Sequence, residues 1–187
     1  IALIDEQAQK LQEQGIEVLA LHGGVAAEKQ MNLLKQFAQK KINPKFIFSS
    51  PEKLATDGFF EHCIKCRKDE IKLITLDEVH CVSQWGMQFR PFYAEIPNFI
   101  ASVFGENWPN ILALTATLNP RELADIVAAF RISSTNVLKY PQLVRSEISL
   151  KVIKCINEEE KEKKLWDLLE IHKNEKTLVY VYRVKNG

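Results

Sequence analysis

Hydrophobic residues recur along this chain with two spacings, one typical of helices and one typical of short strands. Apolar residues three or four positions apart predict amphipathic helices, and these cover residues 1–14, 26–40, 92–104, 120–130 and 158–173. Short runs rich in β-branched and aromatic residues predict strands, and these cover residues 16–21, 45–49, 72–76, 110–114, 136–139, 148–156 and 177–182. Because strands and helices alternate, we expect an α/β fold with a doubly wound parallel sheet and helices on both faces.

Two of the predicted helices have recognisable capping residues. Gly15 follows the first helix, and glycine readily adopts the backbone conformation that ends a helix. Asn119 precedes another helix, with Pro120 at the first helical position and Glu122 three residues after the cap. This is a capping-box arrangement, in which two side chains bond to the free backbone N–H groups of the first turn. The sequence therefore predicts where this second helix begins.

The sequence changes character at the end of the strand predicted over residues 72–76. Asp77 and Glu78 come directly after the apolar run and are followed by Val79 and His80. In open parallel sheets ligands bind at the carboxyl ends of the strands, so an acid pair there can reach a metal-bound phosphate. In such a site the first carboxylate holds Mg²⁺ and the second activates the attacking water. An ordinary strand that meets solvent has the same pattern, so the acid pair alone leaves both interpretations open.

The residues after the acid pair make the pattern more specific. His80 is followed by a loop that contains two large aromatic residues and an arginine before Pro91. The whole stretch, residues 77–91, resembles the RecQ family of DNA helicases, in which an Asp-Glu-x-His box runs into an aromatic-rich loop. The resemblance extends over nearly the whole chain. It implies RecA-like motor domains that use ATP and Mg²⁺ and act on single-stranded and partly duplex DNA.

The resemblance also implies a role for individual residues. Asp77 is the implied Mg²⁺ ligand, Glu78 the catalytic base and His80 a relay toward the DNA-facing loop. Thr115 and Thr117 resemble the helicase motif that links nucleotide state to movement between domains. The implied contacts with DNA are Gln84, Trp85, Phe89 and Arg90 in the loop, and Ser50, Pro51, Glu52 and Lys53 after an earlier strand.

Some of these residues have a purely structural alternative. Ser50 and Pro51 also form an ordinary helix start, with proline at the first helical position. Trp85 and Phe89 are either core residues or platforms on which unpaired bases stack, and their polar surroundings beside Arg90 favour stacking. Two alternative functions also stay open, because fold alone does not determine activity. They are a non-hydrolysing DNA-binding or scaffold protein and an RNA helicase of the wider Asp-Glu-box group.

The resemblance predicts how the chain is divided. Residues 1–140 match the C-terminal part of a first RecA-like domain, residues 141–147 a linker, and residues 148–187 the start of a second, truncated one. The sequence contains no Gly-Lys pair, so we expect the phosphate-binding loop Gly-x-x-x-x-Gly-Lys-Ser/Thr to lie upstream of Ile1. The chain departs from the family pattern at Val79, where alanine is usual, and at Met87 and Gln88, where His-Asp is usual.

Composition restricts the partners further. The chain is 46% hydrophobic and 26% charged with a formal net charge of +1, so contacts with nucleic acid are expected to be local. No apolar run approaches the ~18 residues of a membrane span and no signal-peptide pattern occurs, so we expect a cytosolic protein without membrane contact. The four cysteines are scattered and expected to be reduced. His62, Cys63 and Cys66 supply half of a zinc site, but no second pair follows, so zinc is not expected.

We predict that residues 1–187 alone bind no appreciable Mg-ATP, because the loop that supplies most phosphate contacts in such motors is missing from this sequence. Isothermal titration calorimetry measures this directly. Saturable binding at micromolar Mg-ATP would contradict the assignment of the missing loop.

Overall fold

A computed structural model describes residues 2–83, 91–139 and 147–181 of the chain. The strands are β1 (Val18–Leu21), β2 (Phe46–Ser49), β3 (Leu73–Leu76) and β4 (Asn110–Ala113). The helices are α1 (Ala2–Glu13), α2 (Ala27–Ala38), α3 (Pro51–Thr56), α4 (Gly58–Lys65), α5 (Ile96–Phe104), α6 (Pro120–Ala129) and α7 (Glu158–Ile171). Short 3-10 turns cover Lys68–Glu70, Val79–Val82, Pro91–Glu95 and Ser134–Asn136. The chain divides into two compact units, Ile1–Leu138 and Lys139–Gly187.

The strands of the first unit pair in parallel. β1 pairs with β2 so that Leu21 lies opposite Ser49, and β3 pairs with β4 so that Leu76 lies opposite Ala113. Among the described residues these pairs form two separate two-stranded sheets. Parallel pairing places the carboxyl ends of both strands of a pair at one edge. The predicted α/β character with short parallel strands is confirmed, whereas the single doubly wound sheet stays a prediction.

A continuous hydrophobic core joins the helices and strands of the first unit. The rings of Phe60 in α4 and Phe99 in α5 stack with their centroids 5.8 Å apart. The predicted capping box is confirmed, since Asn119 Oδ1 accepts from the Glu122 N–H and Glu122 Oε2 accepts from the Asn119 N–H. The core residues are Leu19, Leu21, Leu34, Phe37, Phe60, Cys63, Ile64, Leu76, Val79, Ile96, Phe99, Ile100, Val103, Phe104, Ile126 and Phe130.

Arg67 is a buried charge that closes the side of this core next to α2. Its guanidinium donates to the backbone oxygens of Phe37 and Ile42 at 3.3 and 2.9 Å and to Asn43 Oδ1 at 2.7 Å. It also lies 4.5 Å from the centre of the Phe37 ring and pairs with the Glu70 carboxylate. A buried arginine stabilises its surroundings only when such partners satisfy its donors. Arg67 thereby fixes the turn that leaves α2.

Glu70 is more acidic than an ordinary glutamate as a result. Hydrogen bonds from Arg67 and then from Lys40 lower the pKa of Glu70 to about 2. Its contribution to stability is therefore complete above the ordinary value of 4.5 and is lost as the pH falls toward 2.

We predict that Glu70→Gln flattens the fall in melting temperature on acidification, because the substituted side chain has no charge to lose as the pH falls from about 4.5 to about 2. Thermal unfolding followed by circular dichroism across this pH range measures the change. Asp125→Asn, which removes a carboxylate from the exposed face of α6, is the control and keeps the wild-type slope. Identical slopes for both variants would contradict the Arg67–Glu70 pairing.

One predicted strand of the first unit is wrong. Residues 136–139 begin in the 3-10 turn Ser134–Asn136 and continue without regular structure. Ser133 Oγ accepts from the Thr135 N–H at 3.4 Å, and such local bonds favour a turn over strand pairing. A short apolar run therefore does not suffice to predict a strand where hydroxyl side chains beside it bond to the backbone.

The second unit also departs from the predictions in its described part. Residues 148–156 and 177–181 are not strands, and Val152 and Ile156 are 93% and 94% exposed. A strand is stable only with a paired neighbour, and the described residues of this unit contain none. The helix α7 forms as predicted, with Asn157 Oδ1 accepting from the Glu160 N–H. The inward packing predicted for Leu165, Leu168 and Leu169 is wrong, because no residue of α7 is buried.

The predicted linker lies mostly outside the described residues, which end at 139 and resume at 147. Tyr182, the last residue of the predicted strand 177–182, also lies outside them. The domain limits 1–140, 141–147 and 148–187 therefore stay predictions.

Candidate functional site

The candidate site lies where β3 and β4 end side by side. The pairing continues past both strands, since the Leu114 N–H donates to the Leu76 oxygen at 2.8 Å and the Val79 N–H donates to the Leu114 oxygen at 3.0 Å. These bonds bring the turn after β3, with Asp77 and Glu78, next to the segment after β4. Residues that are distant in the sequence therefore share one edge of the sheet.

The turn after β3 has an unusual backbone at Glu78. Its φ of 52° and ψ of 41° are left-handed, a conformation that non-glycine residues rarely adopt and that costs ~1–3 kcal/mol. The Glu78 N–H donates to Asp77 Oδ1 at 2.9 Å, and the next residue, Val79, is buried in the core. The turn therefore buries Val79 while the carboxylates on its N-terminal side stay exposed.

His80 connects the acid pair to the segment after β4. Its Nδ1 lies 3.3 Å from Glu78 Oε2 and 3.1 Å from Thr115 Oγ1. The Thr115 hydroxyl in turn donates to the Thr117 oxygen at 3.0 Å. Four of the residues implied in catalysis and coupling thus form one connected network of short contacts, which we call the His80 network: Glu78, His80, Thr115 and Thr117.

Among the described residues, Asp77 joins the His80 network only through the backbone of Glu78. One carboxylate oxygen accepts that N–H, and the side chain is exposed at the strand end. Mg²⁺ is usually held by one or two protein carboxylates together with waters and phosphate oxygens, and a single exposed carboxylate fits that role. In the part of the chain that the structure describes, no group of three acidic, histidine or cysteine side chains is placed to hold a metal ion without such additional ligands.

The second implied DNA segment lies at the carboxyl end of β2. Ser50 caps α3 through its backbone, and Pro51 is the first helical residue, as the structural alternative predicts. Lys53 Nζ pairs with Asp57 Oδ2 at 2.7 Å, and the lysine side chain is only 16% exposed. Partial burial raises the pKa of Asp57, but hydrogen bonds from Lys53 and Phe60 outweigh it and hold the pKa below its ordinary value. The charge of Lys53 is therefore already compensated.

The remaining implied DNA contacts lie outside the described residues. Residues 84–90 contain Gln84, Trp85, Phe89 and Arg90, so their roles stay predictions. Described residues resume at Pro91, in the 3-10 turn Pro91–Glu95. Ser83, the last described residue before them, is buried and donates its hydroxyl to the His80 oxygen at 2.9 Å.

The cysteines near α4 differ in their surroundings. Cys63 is buried, and burial, followed by the charges of Cys66 and Asp57, raises the pKa of its thiol. Cys66 Sγ lies 3.8 Å from His62 Nε2. A thiol with a raised pKa is a poor metal ligand because the thiolate is the binding form.

Sequence reasoning missed the direct contact of Glu78 with His80 and a contact of Cys81 Sγ with His80 Nε2 at 3.6 Å. Residues two positions apart do not normally face each other on a helix. Val79 was the sequence signal for the contact of Glu78 with His80. Because this apolar residue is buried, its polar neighbours on both sides are directed toward the surface. Cys81 had no such signal beyond its adjacency to His80.

Comparison with known proteins identifies the family of the chain. Residues 1–126 match the family of DEAD/DEAH box helicases, and the chain belongs to that family. The predicted resemblance to RecQ helicases is confirmed by individual relatives. Within the described residues, no helix combines the length and apolar character needed to cross a membrane.

Three relatives illustrate the similarity. The ATP-dependent DNA helicase Q-like 4B of Arabidopsis thaliana is 30% identical over 86% of this chain and 14% of its own length. The ATP-dependent DNA helicase RecQ of Haemophilus influenzae is 32% identical over 75% of this chain and 21% of its own length. The ATP-dependent DNA helicase RecQ of Bacillus subtilis is 28% identical over 96% of this chain and 29% of its own length. The chain thus spans well under half the length of each of these relatives.

We predict that Glu78→Val is less stable than Glu78→Gln, because a β-branched residue resists the left-handed backbone more strongly than an unbranched one. Glu78→Gly adopts it without steric cost and is expected to be no less stable than Glu78→Gln. Urea unfolding of residues 1–187 measures all three variants. Equal stability of the valine and glutamine variants would show that residue 78 is not left-handed.

Proposed function

We propose that this chain is part of the motor of an ATP-dependent, RecQ-like DNA helicase, which couples ATP hydrolysis to unwinding of DNA. The observation that carries the proposal is the His80 network at the carboxyl ends of two paired strands. It includes Glu78, one residue of the exposed acid pair. The printed names of the relatives, which are ATP-dependent DNA helicases, support the same activity.

The proposal includes the fold and its division. Residues 1–140 would belong to a first RecA-like domain with a doubly wound parallel sheet, residues 141–147 to a linker and residues 148–187 to a second RecA-like domain. The parallel β1–β2 and β3–β4 pairs support this architecture. A cytosolic location without membrane contact is part of the same proposal.

In the proposed mechanism the two acids have different tasks. Asp77 would hold Mg²⁺, which would supply positive charge to offset the negative charge of the ATP phosphate oxygens. Glu78 orients the attacking water and accepts its proton. Its side chain is 52% exposed at the edge of the sheet where ligands of parallel sheets bind.

His80 is proposed to connect hydrolysis to movement. Glu78 Oε2 and Thr115 Oγ1 share the same ring nitrogen of His80, so displacement of the glutamate changes the bond to the threonine. Thr117 is separated by one residue from Asn119, whose capping box holds the first turn of α6. A displacement of the threonines would therefore move α6 as a rigid body, which supports the coupling role of Thr115 and Thr117.

DNA is proposed to bind at two places. One is the end of β2, where the Ser50 hydroxyl and the residues Pro51, Glu52 and Lys53 begin α3. The other is the loop that carries Gln84, Trp85, Phe89 and Arg90. Local contacts of this kind suit a chain with a net charge of only +1, because a general basic excess is absent.

We predict that Glu78→Gln in the natural full-length protein preserves ATP binding and lowers the hydrolysis rate by ~10²–10⁴-fold, because only the base is lost. Asp77→Asn should instead raise the Mg²⁺ concentration needed for half-maximal activity. Steady-state hydrolysis with single-stranded DNA, with RNA and without nucleic acid provides the measurement. Glu106→Gln, an exposed carboxylate paired with Arg131, is the control and keeps wild-type activity.

Each outcome of this experiment separates the alternatives. Absence of ATP hydrolysis by the wild-type protein would favour the non-hydrolysing scaffold, whereas hydrolysis by Glu78→Gln at the wild-type rate would show that the acid pair is structural. Stimulation by RNA alone would favour an RNA helicase.

A further inference from the structure

His80 is hydrogen-bonded through both of its ring nitrogens. Nδ1 faces Thr115 Oγ1 at 3.1 Å and Glu78 Oε2 at 3.3 Å, whereas Nε2 faces Cys81 Sγ at 3.6 Å. Cys81 is buried, with 7% of its surface exposed, whereas 37% of the His80 side chain is exposed. A neutral imidazole carries one N–H, and the partners of the two nitrogens decide which nitrogen has it.

The direction of the hydrogen bonds follows from Thr115. Its hydroxyl has a single hydrogen, and that hydrogen is donated to the Thr117 oxygen at 3.0 Å. In that arrangement the Thr115 oxygen accepts from His80, which favours the proton on Nδ1. The Glu78 carboxylate, which only accepts when ionised, favours the same arrangement. Nε2 of the neutral ring is then an acceptor, and the nearby Cys81 thiol is its donor.

We propose that Cys81 is a positioning residue that holds His80 in the tautomer with its proton on Nδ1. The inference rests on the proposed function, because it explains how His80 serves Glu78 and Thr115 together. In the opposite tautomer a bare Nδ1 would face the Glu78 carboxylate, and Thr115 would have to turn its hydrogen away from Thr117. A thiol suits this place because cysteine tolerates burial as a small apolar residue while keeping a weak S–H donor.

The test reads the tautomer directly. Residues 1–187 labelled with ¹⁵N-histidine are studied by long-range ¹H–¹⁵N correlation at about pH 7.5, above the ordinary pKa of imidazole and below that of a thiol, so that an imidazole is mostly neutral and a thiol keeps its proton. Wild-type protein and Cys81→Ser, which keeps a donor, should both show His80 protonated on Nδ1. Cys81→Ala should show a mixture of the two tautomers, because Glu78 and Thr115 still face Nδ1. Cys66→Ala, which removes the thiol beside His62, is the matched control and leaves His80 unchanged.

The same spectrum contains an internal reference of the opposite kind. His22 Nδ1 accepts from the Gly24 N–H at 3.2 Å, so His22 carries its proton on Nε2. That nitrogen lies 2.8 Å from Asp5 Oδ1, although its N–H is not aligned for a hydrogen bond. The chain has four histidines, and single replacements assign their signals.

Two results would overturn the inference. One is a wild-type His80 protonated on Nε2, which needs no variant and so does not depend on whether Cys81→Ala folds. The other is a folded Cys81→Ala protein that keeps the Nδ1 proton fully.

Hydrolysis by the natural full-length protein separates this inference from the proposed function. There Cys81→Ala should lower kcat about fivefold, as expected for one lost hydrogen bond, and Cys81→Ser should restore most of it. A wild-type protein without ATP hydrolysis, but with the expected tautomers, would reject the proposed function and leave the hydrogen-bond assignment in place. Normal hydrolysis in Cys81→Ala with an unchanged tautomer would reject the role of Cys81 alone.

Discussion

The hydrogen bonds of Leu114 are the constraint on which the candidate site depends. Its N–H bonds to Leu76 and its oxygen accepts from Val79, so the chain segments after β3 and β4 leave the sheet together. His80 and Thr115 are 35 residues apart in the sequence and meet only because of this pairing. Loss of either backbone bond would separate the acid pair from the threonines without altering any functional side chain.

Val79 makes the site inseparable from the core of the first unit. It is buried with Leu76, Ile100 and Ile126, while its neighbours Glu78 and His80 reach the surface. Side-chain packing against α5 and α6 thus determines the positions of the Glu78 carboxylate and the His80 imidazole. A methylene added or removed near Val79 would displace residues of the His80 network, because protein interiors are close-packed.

In the first unit, the sequence correctly predicted the features that depend on residues close to one another in the chain. The capping box at Asn119 and the four paired strands followed from turn residues and apolar runs. The strands predicted in the second unit were wrong because pairing depends on a neighbour that a local pattern does not reveal. The inward face predicted for α7 failed for the same reason, since helical periodicity indicates an apolar stripe but not what covers it.

The residues of the candidate site were predictable as a list but not as a network. The Asp-Glu-x-His box and the threonines were found from their resemblance to a family, whereas the contact of Glu78 with His80 required a left-handed turn. No sequence pattern indicates a left-handed glutamate, because glutamate is not among the residues enriched in that conformation. The pairing of Lys53 with Asp57 was not predicted either, although the two residues lie four positions apart, a spacing at which side chains on a helix meet.

The left-handed backbone of Glu78 has a consequence for evolution. A glycine or asparagine would fit this conformation with less strain, yet neither offers a carboxylate. Selection for thermal stability and selection for hydrolysis therefore act in opposite directions on one codon, provided that the carboxylate is used as proposed. We expect homologues that are no longer under selection for hydrolysis to lose the acid at position 78 early, because its replacement by glycine removes the steric strain in one step.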